Sequence, residues 1–386
     1  MAKLSKTTKT VIIAAAVLLV LGAVLLVLVM TSPKDSGSSG DASAVSGEAG
    51  TSESSAAADD GSSASSGADE KIVINSCEQE NVLKLEVSNQ TGSFSFDRAS
   101  REVSSTDDDG NVSTATQYYW TSPELDGISR NDSTIGAFVR SMAGLSASSM
   151  VEEGASDLEK YGLEEPLSTV KVTFDDGTSN EICFGIRNPA ASNYVYCCVK
   201  GSSDVMEVSY YSTGSAFYDI KDFVSLVLTD AYDSNNPQEL EYLNIERKDL
   251  SEPVEIEYMF DVAAEAEDED SVVTTFNSHR ITSPITAELD TTSGQTICYG
   301  LYALSAASCQ YIDPTDEELV ATGLDDPYCR VSFKYGGKAR VLLLGNEIRE
   351  SSDDSDEGSL SSVTGYYAMF EGDRLIYAIS TSNAPW

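Results

Sequence analysis

The sequence contains Gly162-Leu163-Glu164-Glu165-Pro166 and, 161 residues later, Gly323-Leu324-Asp325-Asp326-Pro327. The same interval separates Thr121-Ser122-Pro123 from Thr282-Ser283-Pro284. Two unlike short sequences that keep one interval over so long a distance indicate an internal repeat. We therefore predict two similar units in tandem.

Each of the two glycine-leucine stretches is predicted to end a short helix and to precede a strand. Ser156 with Glu159, and Thr315 with Glu318, have the spacing of a capping box at a helix start. Glycine accepts the left-handed backbone that ends a helix, and the proline prevents the helix from resuming. The acidic pairs are interpreted as solvated turn carboxylates. The structural repeat signature consists of Gly162, Leu163, Pro166, Gly323, Leu324 and Pro327.

The chain has a formal net charge of -39 and only 24 lysine and arginine residues among 386. Nucleic acids and anionic membrane surfaces are bound by clustered basic residues. The composition therefore argues against both as partners.

Residues 11–30 form an uncharged run rich in valine, leucine and alanine, and its 20 residues are enough to span a bilayer. Lys3, Lys6 and Lys9 precede it, which places residues 1–10 in the cytoplasm and the rest of the chain outside. The prediction is a single-pass membrane protein with an uncleaved transmembrane helix. A cleaved signal peptide is the competing interpretation.

Residues 31–70 consist mainly of serine, glycine, alanine and acidic residues, and this composition predicts a flexible linker. Two α+β units follow at residues 71–227 and 228–386. Each is predicted to be an antiparallel β-sheet meander with one main helix, at residues 132–145 and 295–307 respectively. A closing helix is expected at residues 215–228, and acidic insertions distinguish the second unit at residues 261–270 and 350–357.

The first unit resembles the bacterial family called domain of unknown function 4340. The resemblance rests on Tyr161 through Pro166, on Phe184-Gly185 and on Tyr194-Val195-Tyr196. The second unit matches the same pattern through Leu344-Gly345 and Tyr366-Tyr367, although Thr322 replaces the tyrosine before Gly323. The resemblance implies a membrane-anchored extracytoplasmic protein, often encoded beside ABC transport components. No activity or catalytic residue is established for the family, so none is carried over to this sequence.

The seven cysteines do not recur at matching positions in the two units, so most are interpreted as small buried apolar residues. Cys183 and Cys197 are candidates to meet across neighbouring strands, and their pairing is left open. Cys197-Cys198 lacks metal-ligand spacing.

No group of residues in the sequence requires the protein to be an enzyme. His279 is the only histidine and falls in a predicted strand, and the sequence has no nucleophile elbow, phosphate-binding loop or dinucleotide fingerprint. Zinc is not expected with one histidine, and calcium in the loop at residues 350–357 is left open. The paired tyrosines are interpreted as strand packing, with stacking on sugars as the alternative.

These observations favour a non-catalytic, membrane-anchored extracytoplasmic accessory or binding module, with a membrane transport complex as the expected partner. No cofactor is expected, and the ligand is not identified. The alternatives are a cell-envelope glycan hydrolase that uses two carboxylates in a cleft, and a glycan-binding adhesin with an exposed shelf of tyrosines.

Overall fold

Alternating apolar residues build two large antiparallel sheets. The computed structural model describes residues 71–106, 111–233, 235, 238–259, 275–350 and 362–386. In the central strands every second side chain is buried, as for Val170, Val172 and Phe174, because successive strand residues point to opposite faces. The α+β prediction is confirmed as a mainly β fold with short helices.

The first sheet follows the predicted meander. The strands of the first half are β1 (Ile72–Val73), β2 (Val82–Asn89), β3 (Gly92–Thr106), β4 (Val112–Thr121), β5 (Ser146–Ala147), β6 (Ser149–Glu152), β7 (Ser168–Phe174), β8 (Ser179–Asn188), β9 (Ala191–Val199) and β10 (Val205–Ser209). Their order in the large sheet is β4-β3-β2-β7-β8-β9-β10-β6, and β1 pairs with β5. Gly177 and Gly201, with φ of 83° and 85°, make the turns after β7 and β9.

Helix α1 (Asp132–Ala143) agrees with the predicted helix at residues 132–145. It buries Ile135, Phe138 and Met142, and the Asn131 side chain caps its first turn by accepting a hydrogen bond from the Thr134 backbone amide at 3.2 Å. The apolar stripe of the sequence therefore identified the main helix correctly.

The predicted closing helix at residues 215–228 is wrong. One helical turn, α2 (Tyr210–Thr213), precedes this region, which contains only two 3-10 turns, Gly214–Phe217 and Ile220–Phe223. The Phe223 ring packs against Phe96 with 4.9 Å between ring centroids, and its carbonyl accepts from the Asn131 amide at 2.8 Å. Tertiary contacts therefore replace the helical hydrogen bonds here.

The second sheet contains strands in a closely similar succession. They are β11 (Leu240–Arg247), β12 (Val254–Tyr258), β13 (Thr275–Ser283), β14 (Ala287–Asp290), β15 (Ser308–Ile312), β16 (Cys329–Tyr335), β17 (Lys338–Arg349), β18 (Val363–Phe370) and β19 (Leu375–Ser380). Their order is β14-β13-β12-β11-β16-β17-β18-β19-β15. Strand β14, at the sheet edge beside β13, was not anticipated.

The main helix of the second half lies earlier than predicted. Helix α3 (Thr291–Tyr299) starts at an Asp290 cap, whose carboxylate accepts from the Ser293 amide at 2.9 Å. The later part of the predicted helix, residues 301–306, instead pairs with a neighbouring segment, and the Ala303 amide donates to the Asp230 carbonyl at 3.1 Å. The prediction of residues 295–307 was therefore displaced.

The two predicted capping boxes have different outcomes. Thr315 and Glu318 form a complete capping box at the start of helix α4 (Asp316–Thr322). The equivalent stretch of the first half is a single 3-10 turn, Glu159–Tyr161, without a side-chain cap from Ser156. Asp157 instead accepts from the Glu159 amide at 3.1 Å, so the first capping box was predicted wrongly.

Residues 223–230, here called the connector, join the two halves. The Ser225 amide donates to the Ser129 carbonyl of the first half, while the Leu228 amide donates to the Leu304 carbonyl of the second, both at 2.8 Å. Buried side chains from both halves form one continuous apolar cluster around it. The connector is thus held from both sides.

None of the helices in the described residues is both long and apolar enough to cross a membrane. The predicted span at residues 11–30 and the linker at 31–70 lie outside the described part of the chain, as do the insertion at 261–270 and nearly all of the one at 350–357.

Candidate ligand groove at the connector

The signature residues have structural roles. Gly162 and Gly323 have φ of 66° and 69°, in the left-handed region, as predicted for residues that end a helix. Leu163 and Leu324 are each 4% exposed and belong to small apolar clusters. Pro166 and Pro327 are half-buried. These residues fix the two turns.

Each signature glycine packs against a second glycine on a neighbouring strand. Gly162 adjoins Gly185 of β8, and Gly323 adjoins Gly345 of β17. A side chain at either strand position would overlap the backbone carbonyl of the turn. The Phe184-Gly185 and Leu344-Gly345 pairs of the sequence are thereby explained by close backbone packing.

A groove runs along the connector and contains two adjoining cavities of 230 and 210 Å³. The four residues that line both cavities are Ser129, Val227, Leu228 and Arg340. Each cavity is smaller than the roughly 300 Å³ typical of the smallest ligand pockets. The groove therefore suits one small polar group, or a side chain of a larger ligand, at each position.

Arg340 is the charged residue at the centre of the groove. Its guanidinium carbon lies 3.4 Å from the Phe370 ring centroid, and its Nη1 donates to the Leu228 carbonyl at 2.8 Å. Burial lowers the pKa of this guanidinium, yet arginine remains charged at neutral pH. A half-buried cation is thus fixed in orientation by a ring and by the connector backbone.

Arg340 has no ion pair with any described carboxylate, unlike the other cations at the groove. Lys338 lies 4.0 Å from Asp230, and Arg374 binds both carboxylate oxygens of Asp313 at 2.5 and 2.6 Å. Arginine offers several donors in a planar fork that matches a carboxylate. The unused donors of Arg340 are therefore suited to an anionic group from outside.

Sequence reasoning missed Arg340, although a signal was present. Arg340, Leu342 and Leu344 alternate along β17, and the two leucines belong to the apolar core. Since residues i, i+2 and i+4 of a strand lie on one face of the sheet, Arg340 shares the core-facing side of β17 with these two leucines. Such a residue requires a partner for its charge.

A separate cavity of 390 Å³ lies on the outer face of the first sheet and is lined by three carboxylates. Glu86 forms an ion pair with Lys171 at 3.3 Å, and Glu181 with Lys200 at 2.6 Å. Glu124 accepts from the Ser122 hydroxyl at 2.7 Å. Two of the three carboxylates in this cavity are thus ion-paired with lysine.

His279 lies in β13 and is 2% exposed. Its Nε2 is 2.7 Å from the Leu240 carbonyl, and its Nδ1 is 3.0 Å from the Ser278 hydroxyl. Burial lowers the pKa of the imidazole. The ring is therefore neutral, donates to Leu240 and accepts from Ser278, in keeping with the expected ordinary strand residue.

The strand register does not bring Cys183 and Cys197, the pair that was left open, opposite each other, and the seven cysteines are free thiols in the structure. Cys183 lies opposite Cys198, whereas Cys197 lies opposite Phe184 on the other face. No group of three potential metal-binding histidine, cysteine or acidic residues occurs in the described part of the chain.

The interpretation of the paired tyrosines as packing residues is confirmed for only some of them. Tyr196, Tyr366 and Tyr367 pack on apolar clusters. Tyr118 and Tyr211, however, are 48% and 84% exposed, because the β3-β4 hairpin extends beyond the covered part of the sheet and α2 lies at its edge.

Two large antiparallel sheets are joined by a connector whose Leu228 carbonyl accepts a hydrogen bond from a half-buried arginine of the second sheet. A family model described as "Domain of unknown function (DUF4340)" matches residues 120–327, which include both signature stretches. The match covers more than half of the chain, and the protein belongs to this family. Comparisons with curated proteins and with solved structures gave no match.

Proposed function

We propose that the protein is a membrane-anchored, extracytoplasmic binding module without catalytic activity, and that its connector groove holds a carboxylate group of its ligand. The observation that carries the proposal is the half-buried Arg340 without an acidic partner among the described residues. Asp230 and Asp373 also line the groove and act electrostatically on Arg340. Neither forms an ion pair with it, and this is consistent with a site reserved for an outside anion.

The contacts at the rim of the groove join residues of both halves of the protein. Arg374 donates to the Asp126 carbonyl of the first half at 3.0 Å while it binds Asp313 of the second, so both halves help to define the groove. A ligand bound there contacts residues of both halves. Its affinity would then depend on how the connector is held.

The anchor and the extracytoplasmic location remain part of the proposal and rest on the apolar run at residues 11–30. A membrane transport complex is the proposed partner. Within such a complex, an acidic side chain or a chain terminus is a suitable group to occupy the groove.

A repeated origin of the two halves is also proposed, with the boundary in the connector between residues 227 and 228. The Ile74 amide donates to the Leu145 carbonyl as the Leu228 amide does to the Leu304 carbonyl. The next residues match as well: the Asn75 side chain donates to the Met142 carbonyl, and the Thr229 hydroxyl donates to the Leu301 carbonyl. These correspondences extend the similarity of the two sheet orders.

The binding test uses full-length protein in detergent, titrated with acetate, succinate and a short aspartate-rich peptide by calorimetry. Arg340→Met keeps an unbranched apolar side chain beside Phe370 and removes the guanidinium. We expect at least a tenfold loss of affinity, since a charge-assisted hydrogen bond contributes about 1.5–3 kcal/mol. Arg330→Met is the control, because Arg330 pairs with Glu371 outside the groove.

The partner test is gentle detergent extraction from the native membrane, followed by size analysis and mass spectrometry. A stoichiometric membrane partner that is lost with Arg340→Glu supports the proposal. Equal affinity of wild type and Arg340→Met for all three carboxylates, together with a protein that migrates alone, contradicts it.

A further inference from the structure

Two cysteines face each other across the first sheet. Cys183 of β8 and Cys198 of β9 are direct partners in the antiparallel register. Two residues along the same ladder, the Lys200 amide donates to the Glu181 carbonyl at 2.8 Å, so the cysteines occupy a hydrogen-bonded pair position. The Cα atoms of such a pair are about 5.5 Å apart, which is within the range of roughly 4.4–6.8 Å found for disulfides.

The side chains of these two cysteines are already in contact. The Cys198 thiol hydrogen-bonds to Cys183, and this bond is the main cause that lowers the pKa of Cys183 to about 7. The thiolate is the form that attacks a disulfide. The neighbouring Cys197 differs, because burial in the core raises its pKa to about 12.

The pair lies on the outer face of the sheet, under the signature turn of the first half. Leu163 and Val205 pack beside the two cysteines, and Leu158 and Tyr161 cover them. Cys183 and Cys198 are 8% and 3% exposed. Oxidation of the pair would therefore take place while the chain folds, before the turn closes over the thiols.

The second half has apolar residues at the corresponding place. Leu343 and Met369 are direct partners across β17 and β18, and both belong to the small cluster under the second signature turn. Packing under such a turn is thus achieved with Leu and Met, and it does not require cysteine. The cysteine pair differs from the leucine-methionine pair in its chemistry, because two thiols can be oxidised to a disulfide.

We propose that Cys183 and Cys198 form a cross-strand disulfide bond in the exported protein. The Cys183 thiolate attacks a protein or glutathione disulfide, forms a mixed disulfide and releases one thiol of the oxidant. Cys198 then loses its proton and displaces the second thiol, so the pair gives up two protons and two electrons and the oxidant becomes two thiols. The bond links the strands beneath Gly162, and its presence in cells rests on the proposed extracytoplasmic location.

The first experiment treats full-length protein from its native membrane with N-ethylmaleimide under denaturing conditions and maps the peptides by mass spectrometry. We expect the Cys183 and Cys198 peptides to be linked and to accept the label only after reduction, while the other five cysteines are labelled directly. Direct labelling of both residues overturns the proposal.

A second measurement distinguishes two reasons for a missing bond. Either the two cysteines cannot reach each other, or the protein does not reach an oxidising compartment. Reduced purified protein is incubated with oxidised glutathione: formation of this bond alone supports the pairing geometry, and its failure to form refutes that geometry. A bond that forms only in this incubation overturns the proposed export and leaves the carboxylate site of Arg340 to its own test.

Two variants serve as controls. Cys183→Leu combined with Cys198→Met copies the apolar pair of the second half and preserves packing. It should melt at the same temperature with and without dithiothreitol, whereas the wild type melts at a lower temperature after reduction. Cys77→Ser should retain the wild-type response, and loss of that response would overturn the assignment to Cys183 and Cys198.

Discussion

Gly185 lies against the backbone carbonyl oxygen of Tyr161, without room for a side chain between strand and turn. Gly345 has the same relation to Thr322 in the second half. The atom in the way belongs to the backbone, so it cannot rotate aside as a side chain would. Each half therefore depends on a glycine that lies far from its signature stretch in the sequence.

Gly185→Ala and Gly345→Ala are expected to lower the free energy of unfolding by about 1–3 kcal/mol each, because overpacking displaces the turn. Urea denaturation of the purified protein measures the loss. Gly144→Ala is the control, since its Cβ would lie at an ordinary 3.8 Å from the Arg140 carbonyl. If Gly185→Ala were as stable as Gly144→Ala, the claim that a side chain at Gly185 overpacks the turn would be refuted.

Thr315→Ala should cost about 1 kcal/mol, because it removes the complete capping box of α4. Ser156→Ala should change stability by less than about 0.5 kcal/mol, since the first half has no cap from Ser156. The comparison is made by thermal and urea unfolding of both variants. Equal losses would show that the two turns are capped alike after all.

Thr229→Val is expected to loosen the connector. The hydroxyl of Thr229 donates to the Leu301 carbonyl and accepts from the Leu304 amide, so valine leaves two buried backbone groups without a partner. The expected cost is about 1–3 kcal/mol in urea unfolding. Thr173→Val on a half-buried strand position is the matched control, and a similar effect of both changes would exclude a special role for Thr229.

His279 predicts a pH dependence of stability. Its folded-state pKa lies below the ordinary value of 6.5 because the ring is buried. As the pH falls below 6.5, the unfolded chain takes up this proton more readily than the folded chain, so stability is complete above that pH and is lost below it.

The free energy of unfolding of the wild type and of His279→Gln should be compared between pH 8 and pH 5. The wild type is expected to lose more stability over this range, because glutamine does not titrate. Acidic groups titrate in both proteins and cancel in the difference. Parallel curves would mean that His279 does not contribute.

The sequence predicted local structure correctly where a residue type has a single structural role, such as a glycine that ends a helix. Gly323 with its capping box and Leu324 are such a case, and so is the apolar stripe of α1 from Ile135 to Met142. The closing helix failed because the Phe223 ring and carbonyl find partners in α1 and in the first sheet. Propensity over a short window does not include such partners.

The candidate site was not predictable in the same way. Arg340, Phe370 and Leu228 are far apart in the sequence, and their contact depends on where β17, β18 and the connector meet. The sequence suggested Cys197 as the cross-strand neighbour of Cys183, but the neighbour is Cys198. Strand register decides which side chains share a face, and the sequence does not specify it.

The sequence by itself determined the α+β class, the two signature turns and most strands of both meanders, because glycine conformation and period-two burial are local properties. Only the tertiary structure decided that Gly185 meets Tyr161, that Cys183 meets Cys198, and that Arg340 contacts the connector without an ion pair to a described carboxylate. Those contacts depend on register and on the packing of distant segments, which local residue preferences do not specify.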